Sequence, residues 1–213
     1  MNNPWVKRWV KEIWFTRWKL LAVAIIGFIS ILSNKAAGNY ADSFISTPAP
    51  DLILDSIEAY DVTLLYVWFF LIVMYALFLY PLIFTPGKFY YACGLIALFT
   101  IVRSIFISLT HLYAPAQAIS PVFPPTFSTI AYTNDLFFSG HTGLPFLGFL
   151  MFKNAYAKGF FLLSSIILGA STLIMHQHYS IDVFAAFFIT YGIYVIGNKI
   201  YNKLGWMPKD KSN

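Results

Sequence analysis

"VTLLYVWFFLIVMYALFLYPLIF", residues 62–84, contains no Asp, Glu, Lys, Arg or His. About twenty apolar residues in a helix rise ~30 Å, the thickness of the hydrocarbon core of a bilayer. The stretch therefore reads as a membrane span, and it sets the frame for the rest of the chain. Comparable apolar runs recur at roughly 18–36, 89–112, 139–153, 158–177 and 180–199. The expected fold is all-α: a polytopic membrane protein of six transmembrane helices, forming one domain over residues 1–213. Composition agrees. The chain is 59% hydrophobic, 20% aromatic and only 11% charged, with a mean hydropathy of +0.67; soluble domains carry about 25% charged residues. The single cysteine, Cys93, excludes an intramolecular disulfide and reads as a small packing residue. No nucleic-acid motif, internal repeat or low-complexity tract is present.

Upstream of the first run, "NNPWVKRWVKEIW" (residues 2–14) starts like a helix, with Asn3 as cap and Pro4 in the first turn. At about 100° per residue, Trp5, Val6, Trp9, Val10 and Ile13 share one face, and Lys7, Arg8 and Lys11 another. Tryptophans and cations sorted in this way suit an amphipathic helix over residues 1–17 lying in the headgroup layer. A basic lead followed by an apolar run and "KAAGNYA" also has the outline of a cleaved signal peptide, but the lead is long for one.

The charges sort by side. Lys7, Arg8, Lys11, Arg17 and Lys19 precede the first span, Lys88 follows the second, Lys153 and Lys158 flank the turn after the fourth, and Lys199, Lys203, Lys209 and Lys211 follow the last. On the alternate side, segments 37–61 and 113–138 hold no Lys or Arg, and they carry Asp42, Asp51, Asp55, Glu58, Asp61 and Asp135. By the positive-inside rule both termini are cytoplasmic, with only Lys35 running against the pattern. His111, His141, His176 and His178 then all fall at extracytoplasmic span ends, which points to a site there.

Three elements carry chemistry. His178 and Asp182 are four residues apart, so on a helix they share a face. A carboxylate beside one imidazole nitrogen fixes the tautomer and raises the basicity of the other, although the same pair also reads as a structural ion pair at a helix start. In "NDLFFSGHTGLPF" (134–146), Ser139 and Gly140 open the fourth span with His141 in its first turn. The free amides and dipole of a helix start favour phosphate, and Pro145 cannot donate to the His141 carbonyl, so that turn stays partly open. Arg103 is the one arginine beyond the N-terminal lead. It lies about 10 Å below Thr110 by helix rise, in the outer half of its span, where it can hold a phosphate oxygen or pair internally with Asp51 or Asp55.

Together these residues form a kit for phosphoryl transfer through a phosphohistidine. His178 attacks, His141 protonates the leaving oxygen and then deprotonates the acceptor, and Arg103 with the amides around Ser139 and Gly140 stabilises charge, without metal or cofactor. Three other readings compete. Water can replace the acceptor. His141, His176, His178 and Asp182 can make a zinc site. Or the protein binds or transports its lipid, although it lacks the paired broken helices typical of transporters. The uncharged, Pro-rich loop 114–125 is placed to cover the site and exclude water, which favours transfer.

The chain resembles the type 2 phosphatidic acid phosphatase (PAP2) superfamily, and within it the sphingomyelin synthase branch. "PAPDLILD" (48–55), containing Asp51, resembles that branch's Pro-Asp motif. "RSIFISLTHLYAP" (103–115) resembles its arginine motif, with Thr110 at the matching offset. "NDLFFSGHT" (134–142), with Asp135, resembles its Asp-x-x-x-Ser-Gly-His-Thr motif, and "HQHYSIDVFAAFFIT" (176–190), with Tyr179, its His-Tyr-Thr-x-Asp motif. The resemblance implies a triad of His178 as nucleophile, Asp182 as its orienter and His141 as acid/base, on the outer face. It further implies transfer of a phospho-headgroup from a phospholipid to a lipid alcohol of the ceramide or diacylglycerol class. The compact chain suits a prokaryotic member in a bacterial cell membrane. Two departures matter. The superfamily's Lys-x6-Arg-Pro motif is absent, and Thr172 stands where an arginine is usual six residues before the nucleophile. Fewer cations suit a phosphodiester better than a phosphomonoester. Asn134 also replaces a usual glycine. His176 flanks the nucleophile and is assigned a supporting role. Tyr113, Phe123, Phe127, Tyr132 and Tyr179 are available to cage a choline, and Asp51 or Asp55 to meet an ethanolamine.

Overall fold

The computed structural model describes residues 4–44, 47–124, 132 and 134–208. Among them the regular structure is helical, with no strand. The main elements are α1 (Pro4–Asp42), α2 (Leu64–Phe84, its first turns π-helical), α3 (Phe89–Leu109), α4 (Gly140–Met151), α5 (Ala155–Ile174) and α6 (Ser180–Lys203). Five of these, all but α4, are long and apolar enough to cross a bilayer.

Two expectations change. The lead and the first span are not separate helices: α1 runs unbroken for 39 residues. No proline, glycine or cap interrupts "WFTRWKLLAVA" (14–24), so nothing ends the helix between them. The expected Asn3 cap lies outside the described residues. The lead is held against the bundle, where Trp9 Nε1 donates to the Leu82 carbonyl at 2.8 Å and Glu12 accepts from the Gly87 amide at 3.1 Å. The second change concerns the fourth span. Gly140–Met151 has 12 residues, about 18 Å of rise, well short of the ~30 Å core. Ser139 and Phe152 at its ends are both extended, so the apolar run overstated the helix.

The short helix starts deep. α5, its antiparallel neighbour, has 20 residues, so the α4 start lies about 12 Å below the α5 end. The Ser165 hydroxyl, nine residues before Ile174, donates to the Thr142 carbonyl at 2.7 Å and fixes that level. Residues 134–138 descend to reach it, with Leu136 and Phe138 buried. Irregular backbone at such depth is tolerated where protein or a polar cavity surrounds it.

α4 packs between α5 and α6. Glycines permit the close approach: a methyl at Gly143 would lie 2.7 Å from the Phe99 ring, and one at Gly148 2.7 Å from Phe161. Val73, Leu77, Leu95, Phe99, Leu147, Phe161 and Leu168 fill the core. Outward faces are equally apolar, with Phe15, Phe28, Ile72 and Phe188 exposed. Lipid is the solvent that tolerates such a surface.

Candidate active site

α5 ends in a turn that aims the next residues inward. Met175 is its C-cap, and His176 follows with φ 53°. The His176 amide donates to the Leu173 carbonyl at 3.0 Å and the Gln177 amide to that of Thr172 at 2.8 Å, the paired bonds of a Schellman motif. The chain then reverses into α6. The Tyr179 amide donates to Asp182 Oδ2 at 3.2 Å, and His178 Nδ1 sits 3.2 Å from the same oxygen. One buried carboxylate thus satisfies a free amide at the helix start and orients the imidazole. With Nδ1–H donated to Asp182, Nε2 carries the lone pair.

His141 reaches this pair through the backbone. Ser139 caps α4, and its amide donates to the Asp182 carbonyl at 3.0 Å, splicing the α4 start to the first turn of α6. The Gly143 amide returns to the Ser139 carbonyl at 2.9 Å. The amides of Gly140, His141 and Thr142 have no carbonyl one turn back to bond within the helix, which leaves a concentration of donors there. The His141 ring is stacked on Tyr66 and tilted against Phe70, at centroid distances of 4.1 and 4.0 Å, and its buried Nε2 has no partner among the described residues.

Arg103 closes the group from α3. Its guanidinium pairs with the Asp135 carboxylate and donates to the carbonyls of Asp135 at 3.0 Å and Phe138 at 3.3 Å. A methyl at Gly140 would lie 3.5 Å from Arg103 Nε, so the arginine and the α4 start share one space. The expected partners Asp51 and Asp55 are elsewhere. Asp135 wins because the descending loop carries it to the arginine's depth.

A cavity of about 430 Å³ joins these parts. Arg103, Asp135, Gly140, His141, Gln177 and His178 form its polar end, and Phe70, Leu71, Met74, Phe99 and Leu144 an apolar continuation along α2, α3 and α4. The loop 114–124 covers it. Ile119 bonds the Met175 carbonyl and accepts from Gln177 Nε2 at 2.7 Å, Phe123 packs edge-on to Tyr66, and Ala118, Ser120 and Pro121 line the space.

Most of the other expected residues lie outside the cavity. The buried Tyr179 hydroxyl is a strut, accepting from the Ala49 amide at 2.9 Å and donating to the Tyr113 carbonyl at 2.8 Å. Asp51 accepts from the amides of Ile53 and Leu54 and from the amide and hydroxyl of Ser180 at 2.7 and 2.9 Å. Burial acts to raise its carboxyl, and these hydrogen bonds outweigh burial and hold it below the ordinary 3.8. Thr110 donates to the Phe106 carbonyl in its own helix. His111 stacks on Phe44 at 3.9 Å. His176 is buried with Nε2 unpartnered and does not line the cavity. Asn134 holds the covering loop by accepting from the Ala114 amide at 3.1 Å. Of the aromatics named for a choline cage, Phe127 falls outside the described residues, while Phe123 and Tyr132 line the cavity. Among the described residues, no three His, Cys, Asp or Glu side chains converge as metal ligands, so the four residues of the competing zinc reading do not form such a set. Sequence reasoning missed Tyr66, Phe70 and Gln177, which line the cavity or clamp its cover.

No curated protein matches the chain closely enough to be set beside it. Residues 133–199, which hold His141, the His178–Asp182 pair and α4 through most of α6, match the family described as PAP2 superfamily C-terminal, and this match supports placing the chain in the PAP2 superfamily.

Proposed function

We propose that the protein is a membrane lipid phosphotransferase that moves a phospho-headgroup from a phospholipid to a lipid alcohol. The observation that carries this reading is the cavity. It joins two imidazoles, an arginine and a helix start at one end to an apolar continuation at the other. A lipid has the same division, with a phosphate next to an acyl chain.

In the proposed reaction, Nε2 of His178 attacks phosphorus while the bond from phosphorus to the glycerol oxygen breaks. His141 gives its proton to that oxygen, and diacylglycerol leaves. His141 then takes the proton of the lipid alcohol, whose oxygen attacks phosphorus, and the nitrogen–phosphorus bond breaks to restore His178. The α4 amides and Arg103 face the oxygens that gain charge. Asp182 keeps His178 in one tautomer and stabilises its cation.

Charge supports a diester over a monoester. Arg103 is already paired with Asp135, so the pocket holds little surplus positive charge for a group of nearly two negative charges. The cover from 114 to 124 supports transfer over hydrolysis by restricting water. The asymmetry of lysines, with Lys88, Lys153, Lys199 and Lys203 at the helix ends opposite the histidines, supports a site on the extracytoplasmic face of the membrane, which we take to be a bacterial cell membrane.

Lipid mass spectrometry of vesicles holding the purified protein, a mixture of phospholipids and a lipid alcohol tests the reading. The expected products are diacylglycerol and the alcohol bearing the headgroup in equal amounts. Diacylglycerol with only free phospho-headgroup identifies a phospholipase C-like hydrolase instead, and free inorganic phosphate a phosphatase.

A further inference from the structure

One wall of the cavity has polar groups that the catalytic scheme leaves unused. Asn34 of α1 and Tyr132 line it along with Arg103. Ala37 and Ala41 of α1 pack on Ile107 of α3, and lower down Val23 lies against Gly94, so the two helices run parallel. Asn34, one turn below Ala37, is therefore level with Arg103, one turn below Ile107. Its carboxamide makes no hydrogen bond with a described residue. A carboxamide in an apolar span is costly unless something bonds it.

Tyr132 is the second such group. Its hydroxyl is buried without a partner among the described residues. Its ring lies against Gly38, one turn above Asn34 on the same face of α1, where a methyl would run into it. α1 packs on α3, whereas α4 packs on α5 and α6. The pair therefore approaches the phosphate end from the α1 side of Arg103, away from the helices that carry the histidines.

Both groups are neutral, and each donates and accepts. Arg103 and the α4 amides already serve the phosphate charge. What remains between a phosphate and the acyl chains of a lipid is its neutral polar backbone. We propose that Asn34 and Tyr132 form a hydrogen-bonding subsite for the backbone of the acceptor lipid, selecting one with a donor group, hydroxyl or amide, beside the reacting hydroxyl. An ester accepts only and satisfies such a pair less well. This inference rests on the transferase reading above.

Binding measured on the His178→Ala protein separates the two. The probes are a long-chain N-acyl amino alcohol and a simple long-chain primary alcohol of equal length, titrated into vesicles holding the protein. Adding Asn34→Leu should weaken binding of the amide lipid about 5–10-fold and change the primary alcohol less than about 2-fold, the loss expected for one buried hydrogen bond. Tyr132→Phe, which removes one oxygen and little packing, should show the same selective loss. Equal losses for both lipids, or none in either variant, overturn the subsite. Failure of the unmodified protein to release diacylglycerol from any phospholipid would sink the transferase reading, while the binding ratio would still decide the subsite.

Discussion

The Ser139 amide and the Asp182 carbonyl are 3.0 Å apart and hydrogen-bonded. This bond registers the two helix starts, so the proposed acid/base on α4 and the carboxylate on α6 that holds the proposed nucleophile share one backbone register. Asp182→Asn keeps the backbone bond and removes the charge that orients His178. It should lower diacylglycerol release by roughly 10²–10⁴, the range for a disabled acid–base system, while His178→Ala should abolish it. Stopped assays on vesicles with labelled phospholipid read both. Full activity in His178→Ala would end the assignment.

Arg103 and Asp135 form a largely buried ion pair. Arg103→Gln strands the carboxylate and should cost about 3–5 kcal/mol of stability. Adding Asp135→Asn should restore much of the thermal midpoint without restoring activity, because the proposed phosphate ligand stays missing. Arg103→Lys keeps the charge and loses the planar fork, so it should keep stability better than activity. Recovery of turnover in the double variant would show that Arg103 acts only as a structural partner.

His176 occupies a left-handed backbone position, φ 53°, at the end of α5. Glycine fits such a position best. His176→Gly should therefore leave stability within about 1 kcal/mol of the parent and change turnover less than 3-fold, an order-of-magnitude bound for a residue outside the cavity. A loss of 100-fold would give its imidazole a part in the chemistry.

Asp51 ties the loop before α2 to the start of α6 through Ser180. Its carboxyl is held below the ordinary 3.8. A depressed carboxyl contributes stability that is full above its unfolded value and is lost as pH falls through the folded one. Acidification below about pH 4 should therefore lower the thermal midpoint, and Asp51→Asn should flatten that part of the profile. The same slope in both proteins would remove Asp51 as its source.

Five of the six apolar runs, including residues 62–84, were legible because their length decides them, whereas the run at 139–153 holds only a 12-residue helix. The pair of His178 and Asp182 was legible from its spacing. The joint between lead and first span was not, since Trp and cations sorted on two faces look alike in a separate surface helix and in the end of a long one. Arg103's partner was hidden for a different reason: no periodicity tells how far the segment from Asn134 to Phe138 descends. Tyr66 and Phe70 were invisible among aromatics so frequent that no single one stands out. In the sequence Asp51 reads as a partner of Arg103 or of a headgroup and Tyr179 as part of a motif, and their hydrogen bonds instead hold loops together.

The shortness of α4 has a physical consequence. Its first residue begins about 12 Å beneath the end of its neighbour, so on the proposed reading a phosphate bound there sits about two helical turns inside the end of α5. Soluble phosphate esters must shed their hydration to descend that far, whereas a lipid enters with its tail already at home. On that reading depth alone sorts molecules by how much hydrocarbon they carry, before any side chain reads their headgroup.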